Sequence, residues 1–562
     1  MDTVNNASRK NHDIRSQRSA EIIQFDRAVQ VTGSQRAASK LTNISRSTAQ
    51  GRIARRNERT LPLATQEFLD TAEGMMFLHR IILAVEFIIS QIAGAGIRVI
   101  QLFLELAQLD QWVANSYGSI NKRVDTIEKN LARFGEEQER ILSANMREKR
   151  VTGCLDETFP SGICLVAIEP ISNFVLLEKQ VDDRTTMTRK SELDARLKHL
   201  PVTFHQVTAD KATALVKLTE QELDAHYSPD LFHIHQDLSK ATSAPLARKV
   251  TACENAVETA EQELNQIVQE HEGYADLAVK PVGRPVNHAG RINDASVKLA
   301  TVTLELEEAE GRRKQVRESV KALGDIYHPI NLTNGAKQTP HRVEKKILNK
   351  LLEIEIQAEA SNLSENCMKK IEKSKRSLDS MQNTIEYFWT TADTIMSSLN
   401  PNKEQKHIFK RYLLPITYIN LQIPKARDAA HKNDLKVSVT KLQAQMNGNS
   451  VWNLMEKNEK CRYEEKALEC AHIFQRSTSN VEGRNGCLSL HHHSFRQMNE
   501  RKLKASTVVH NYFIKRPDGT TAAERFFEQR HADLFEWLLQ EMDFPAQPRT
   551  SASKRRRKAA NE

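Results

Sequence analysis

Two aspartates stand where a largely helical chain changes its pattern. Asp156 lies in Leu155-Asp-Glu-Thr-Phe, just before a predicted hairpin; Asp210 lies in Val207-Thr-Ala-Asp-Lys, where a predicted strand passes into a helix. Carboxylates carried on adjacent strands can share divalent cations, and Mg²⁺ needs only a few of them because it keeps several waters. Two such ions about 3.5–4 Å apart stabilise the attacking and leaving oxygens of an in-line displacement at phosphorus. The chemistry within reach is metal-dependent phosphoryl transfer. With 72 Asp and Glu in the chain, some acids fall beside strands in any case, so position alone leaves a structural reading open. Glu157 competes with Asp156. Neighbouring strand residues face opposite sides of a sheet, so only one of them can point at a metal, and Asp156 is the choice. His233 and Asp237 are expected to border such a site. His491, His492 and His493 are consecutive on a predicted helix and cannot all face one ion, which leaves them as a polar face or a contact to the DNA backbone.

The elements that must position these acids follow from periodicity. Residues 17–57 read as short helices, and Gly33 to Gln50 has the form of a helix-turn-helix. Ala37, Ala38 and Leu41 give its first helix an apolar face, Asn43-Ile44-Ser45 makes the turn, and Ser45 is placed as N-cap. Arg46, Ser47, Gln50, Arg52 and Arg55 then project from the second helix toward a major groove. From Leu61 to Arg150 the pattern is helical throughout. At Val151 it changes: Cys164–Ile168 and Asn173–Leu177 read as a hairpin, Val202–Val207 as a third strand, and Asp230–His235 as another short one. Val250, Cys253, Val257, Ala260, Leu264 and Ile267 alternate at spacings of three and four, and Leu299 to Leu323 repeats the pattern. With Lys280-Pro-Val-Gly-Arg-Pro between them, the two heptad runs predict an antiparallel helical hairpin.

Composition narrows the class. A chain of 562 residues exceeds one ordinary core, and 39% hydrophobic with 6% aromatic residues describes a helix-rich, soluble protein. Up to Arg59 there are 12 Lys/Arg against 5 Asp/Glu, and from Arg549 onward 6 against 1, so the positive charge sits at the two ends, as phosphate contacts require. Two solvated tails would give the same count. The seven cysteines are odd in number and without a C-x-x-C pair, which points away from a disulfide framework or zinc site and toward a reducing cytoplasm. The apolar stretch from Ile81 to Ile97 is about 17 residues long and holds Glu86, short of the roughly 20 a membrane span needs; it predicts a buried helix.

The segment Ser477-Thr-Ser-Asn-Val-Glu-Gly-Arg-Asn-Gly-Cys-Leu-Ser-Leu-His-His-His resembles the C-terminal signature of a group of bacterial insertion-sequence transposases of the DDE type. His510-Asn-Tyr-Phe-Ile-Lys-Arg-Pro-Asp-Gly-Thr-Thr-Ala-Ala-Glu-Arg-Phe-Phe continues the likeness, as do Ile168-Glu-Pro-Ile-Ser, Ser228-Pro-Asp-Leu-Phe-His-Ile and Tyr327-His-Pro-Ile-Asn-Leu. The resemblance implies a ribonuclease-H-like core in which Glu482 is the third acid beside Asp156 and Asp210, with two Mg²⁺ (or Mn²⁺) ions. It places Arg484 and Asn485 where they could orient DNA phosphates, a structural role being the alternative. Lys211, directly after Asp210, departs from the acidic residue expected there.

The expected architecture is α+β and multidomain, predominantly helical. It comprises a helix-turn-helix region (1–60), a helical linker domain (61–150), the first part of the catalytic core (151–240), an all-helical insertion (241–474), the C-terminal part of the core (475–548) and a basic disordered tail (549–562). The expected partners are double-stranded DNA, as terminal inverted repeats and target, and a second copy of the chain; no membrane is expected, and the setting is the bacterial cytoplasm at the nucleoid. Two rival readings are a DNA-binding regulator without chemistry and a nuclease of the same fold that cuts without joining.

Overall fold

The computed structural model describes residues 20–548 apart from 22, 58, 160–161, 277–282, 284–285, 427 and 496–497, and leaves out the side chains of residues 52, 55–57 and 495. The protein is predominantly helical with one small mixed sheet. Its chain falls into two compact units. The first comprises 1–150, 155–203 and 480–562; the second comprises 151–154 and 204–479.

Five strands, β1 (Lys149–Thr158), β2 (Ile163–Glu169), β3 (Phe174–Val181), β4 (Val202–Ala209) and β5 (His226–Pro229), form a sheet of order β3-β2-β1-β4-β5. β2 and β3 make the expected antiparallel hairpin, from Ile163 opposite Val181 to Glu169 opposite Phe174, with a bulge between Ala167 and Ile168. β4 and β5 run parallel, Gln206 opposite His226 through Ala209 opposite Pro229. The division into units passes through β1, whose Val151–Cys154 groups with β4 and β5. Val151 through Asp156 are all buried, as in a strand covered on both faces. The short strand expected at Asp230–His235 is instead β5, four residues earlier. Asp230 accepts the N–H of Phe232 (2.8 Å) and caps a helix that begins at Leu231. Residues 231–235 carry an apolar run that fits either period, and the cap decides for helix.

In the first unit, helices Gln35–Thr42 and Arg46–Asn57 flank a turn in which Asn43 takes the left-handed conformation (φ 57°) that asparagine tolerates. Ser45 Oγ accepts the N–H of Thr48 (3.2 Å), the expected cap. Phe25, Ala28, Ala38 and Ala49 are buried together, with Ile44 packed against them. Leu41, expected on this packed face, is 70% exposed. The core here is carried by Ala38 and Ala49 and by Phe25 and Ala28 of the preceding segment. Downstream, the Ala72–Phe87 helix continues as a π-helical turn to Ile92, and Gly94 (φ 62°) and Gly96 then start a new helix, Ile97–Leu106. The apolar stretch 81–97 is therefore a helix end and a turn, not one helix. Ala72–Ile92 is long and apolar enough to cross a membrane, yet half of it is buried in the protein. Its Glu86 is 1% exposed and accepts from Arg123 Nε at 2.6 Å; burial raises the Glu86 carboxyl above its ordinary range, against the pull of Arg123.

The C-terminal block closes the free edge of the hairpin. Asn511, on helix Glu500–Tyr512, accepts from Val175 N (2.9 Å) and donates to Val175 O (3.1 Å), which satisfies backbone groups of edge strand β3. Phe174 stacks on Phe526 with centroids 4.5 Å apart.

In the second unit, helices Leu231–Ala275 and His288–Ile326 are the two long arms whose heptads were legible. Val250, Ala260 and Ile267 of one arm and Ala295, Ala309, Val316 and Leu323 of the other are buried, and Lys298–Glu263 (2.6 Å) and Arg291–Glu270 (2.9 Å) pair across the arms. The predicted Pro/Gly connection at 280–285 lies, save Gly283, outside the described residues. The first arm runs through residue 240, where the sequence placed a domain boundary. Beyond them a large apolar core gathers Phe388, Trp389, Tyr418 and Phe474. The chain then returns to the sheet: the carbonyl of Gln475 accepts from Gln206 Nε2 (2.9 Å), Thr208 Oγ1 (3.2 Å) and Ser228 Oγ (3.0 Å).

Candidate functional site

Asp156 and Glu157 do face apart. Glu157 is taken up by two guanidinium groups, those of Arg184 and Arg189, the latter buried. Asp156, 8% exposed, stands on the other side of β1. Glu482 lies in the first turn of helix Ser479–Phe495, where the helix dipole favours a negative charge. Carboxylate oxygens of Asp156 and Glu482 lie within 4.8 Å of one another. One helical turn beyond Glu482, the Asn485 amide donates to Asp156 Oδ2 at 3.0 Å. Asn485 Oδ1 is buried and has no hydrogen-bond partner among the described residues.

The opposite face of the same helix is clamped. Asn480 donates to the carbonyl of Pro170 (2.9 Å), and Arg484, four residues on, donates through Nε and Nη2 to the two oxygens of Glu178 (2.8 and 2.7 Å). Thr507 Oγ1 donates to Glu178 (2.6 Å), and Arg484 Nη2 also donates to Ser506 Oγ (3.0 Å). Arg484 and Glu178 are both buried. Burial works against the charge on Arg484, but Glu178 outweighs it and holds the guanidinium above its ordinary pKa. Beside them, burial and the Glu178 charge push the Cys164 thiol up to about 12. Of the two roles open to Arg484, the structural one accounts for its position. Glu178 escaped the sequence reading, although its place two residues after Leu176 and four after Phe174 put it on an inward-facing strand register.

Asp210 belongs to the second unit, directly after β4. Its Oδ1 accepts from Ala212 N (3.1 Å) and its carbonyl from Tyr227 Oη (3.0 Å). It lines a cleft of about 220 Å³ with Asp230, His233, Asp237 and Lys373. Within that cleft Asp230 is committed to capping: besides Phe232 N, it accepts from Thr478 N (3.2 Å) and from the Thr478 hydroxyl. Asp237 pairs with Lys373 (2.9 Å), and the Lys211 ammonium donates to the carbonyl of Arg376. Asp230, missed as a cap, carried a legible signal: an Asp directly before an apolar run is an N-terminal helix marker.

Among the helix-turn-helix candidates, Arg46, Ser47 and Gln50 are exposed, with Gln50 donating to Gln35 Oε1 (2.7 Å). The side chains of Arg52 and Arg55 lie outside the described residues. His491 packs on Gly94, where a Cβ would sit 2.8 Å from the ring, and burial lowers its pKa. His492 and His493 touch each other, with ring centroids 5.8 Å apart.

The two carboxylates of Asp156 and Glu482 offer hard oxygen donors, the kind that suits Mg²⁺ or Mn²⁺ over softer metals. The residues present therefore fit the ion that the resemblance implied.

A family model described as a family of unknown function (DUF6399) matches residues 409–554, a span that holds Glu482, Arg484 and Asn485. No curated protein matches the chain.

Proposed function

We propose that the chain is a DNA transposase of the DDE type, a ribonuclease-H-like polynucleotidyl transferase that cuts at element ends and joins them to target DNA. The observation that carries this reading is the convergence of Asp156 and Glu482, from distant parts of the sequence, to within 4.8 Å. Asp156 and Glu482 hold divalent metal, and Asp210 is the second aspartate of the set. Bound there, the ion supplies Lewis-acid stabilisation of the phosphate and a more acidic water. The protein's own part is positioning and charge placement: the clamped helix fixes Glu482, and Glu157, spent on two arginines, stays out of the site. The exposed Arg46, Ser47 and Gln50 face the terminal repeats, with a second copy of the chain on the other end.

Cleavage and strand transfer on terminal-repeat DNA with Mg²⁺ test the proposal. Asp210→Ala and Glu482→Gln are each expected to lose about a thousandfold in rate, equivalent to about 4 kcal/mol of transition-state stabilisation. Full activity in either variant sinks the assignment. Cutting without joined products favours the nuclease reading instead.

A further inference from the structure

We infer that Asn485 is a positioning residue of the metal site, and that its partners are Asp156 and an ion-bound water, not DNA phosphate. The inference rests on the proposed metal-binding role of Asp156 and Glu482. Glu482 and Asn485 are separated by three residues on one helix, so their side chains share a face. The Asn485 amide N–H donates to Asp156 Oδ2 at 3.0 Å, which restrains the rotation of that carboxylate beside Glu482. A carboxylate free to rotate would sample geometries that an octahedral ion rejects, because Mg²⁺ demands near-ideal ligand angles. The other end of the amide supplies the second half of the argument. Asn485 Oδ1 is buried and has no partner among the described residues, a costly state unless a donor arrives. A water on a divalent ion is a strong donor, and an amide oxygen is a good acceptor for it. DNA phosphate cannot fill this place, since phosphate oxygens are acceptors themselves and would face an acceptor. Residues that orient a ligand in this manner are worth roughly 10–100-fold in metal affinity.

The clamp on the opposite face makes this placement rigid. Asn480 and Arg484 tie the helix to Pro170 and Glu178, so the Asn485 side chain is aimed by the backbone it rides on.

Mn²⁺ titrations of the full-length protein without DNA, followed by the loss of the free-ion electron paramagnetic resonance signal, read the site directly. Asn485→Leu keeps the side-chain shape and removes both polar ends; Asn485→Ala removes the shape as well. Both are expected to weaken Mn²⁺ binding about tenfold or more, with metal-free thermal melting within a degree or two of wild type. Unchanged Mn²⁺ affinity in Asn485→Leu overturns the inference. A fall in metal-free melting large enough to account for the affinity loss overturns it too, since Asn485 would then be structural. Glu482→Gln, titrated alongside, separates the two levels. If it binds Mn²⁺ like wild type, the metal reading itself fails; if only the Asn485 variants do, the metal reading stands without this residue.

Discussion

Arg484 and Glu178 show how a single buried pair fixes a candidate catalytic acid. Two charges taken out of water are costly, and here the cost is offset by bidentate geometry and by the hydroxyls of Ser506 and Thr507. Removing one partner strands the other. Glu178→Gln is expected to destabilise the protein by about 3–5 kcal/mol in urea denaturation, whereas the double change Glu178→Met with Arg484→Met recovers most of that loss. If the single change costs under about 1 kcal/mol, the pair does not clamp the helix. At this scale the sequence was legible in part. Strand alternation required that only one of Asp156 and Glu157 could face a metal, and Glu157 is taken up by two arginines. The fate of Arg484 was not legible, because the residue that claims it lies in a strand 306 positions away.

Elements were readable wherever one period dominated. The β2–β3 hairpin and the two heptad arms stand where paired apolar runs around a turn and the three-four spacing placed them. Misreadings fall where a short apolar run satisfies two periods, as at 231–235, or where a glycine pair divides one hydrophobic stretch into two helices, as at Gly94 and Gly96. β5 escaped because His226–Pro229 has little strand propensity of its own and exists through its parallel pairing with β4. Two predictions belong here. Ala260 and Ala309 are buried in the long arms, so Ala260→Leu should overpack the seam and cost about 1–3 kcal/mol by thermal melting; no change would place Ala260 away from the seam. In the N-terminal helix pair, Arg46→Ala should weaken binding to terminal-repeat DNA by about 1–3 kcal/mol in fluorescence anisotropy at fixed salt. Equal affinity for the variant would remove Arg46 from the DNA face.

For the molecule as a whole, acid should act through buried histidines. Three histidines of the second unit, His226, His235 and His472, are held to about 4, chiefly by burial, with His205 adding to the effect on His226, Arg476 on His235 and Lys425 on His472. A histidine with a depressed folded-state pKa stays neutral while the unfolded chain, near 6.5, takes up protons. Its contribution is therefore complete above about pH 6.5, erodes as pH falls toward 4, and is gone below that. At pH 5 each such group costs about 2 kcal/mol, so the second unit should melt well before neutral conditions would predict, and His226→Phe should blunt the dependence. A melting temperature flat from pH 7 to 5 would contradict this. The proposed chemistry depends first on Asp156 binding the metal through which DNA is cut. Asp156→Cys tests it most directly, because thiolate accepts Mn²⁺ far better than Mg²⁺. This variant should give no cleavage of terminal-repeat DNA in Mg²⁺ and measurable cleavage restored by Mn²⁺. Equal activity of variant and wild type in Mg²⁺, or cutting by wild type in the presence of a chelator, would contradict it.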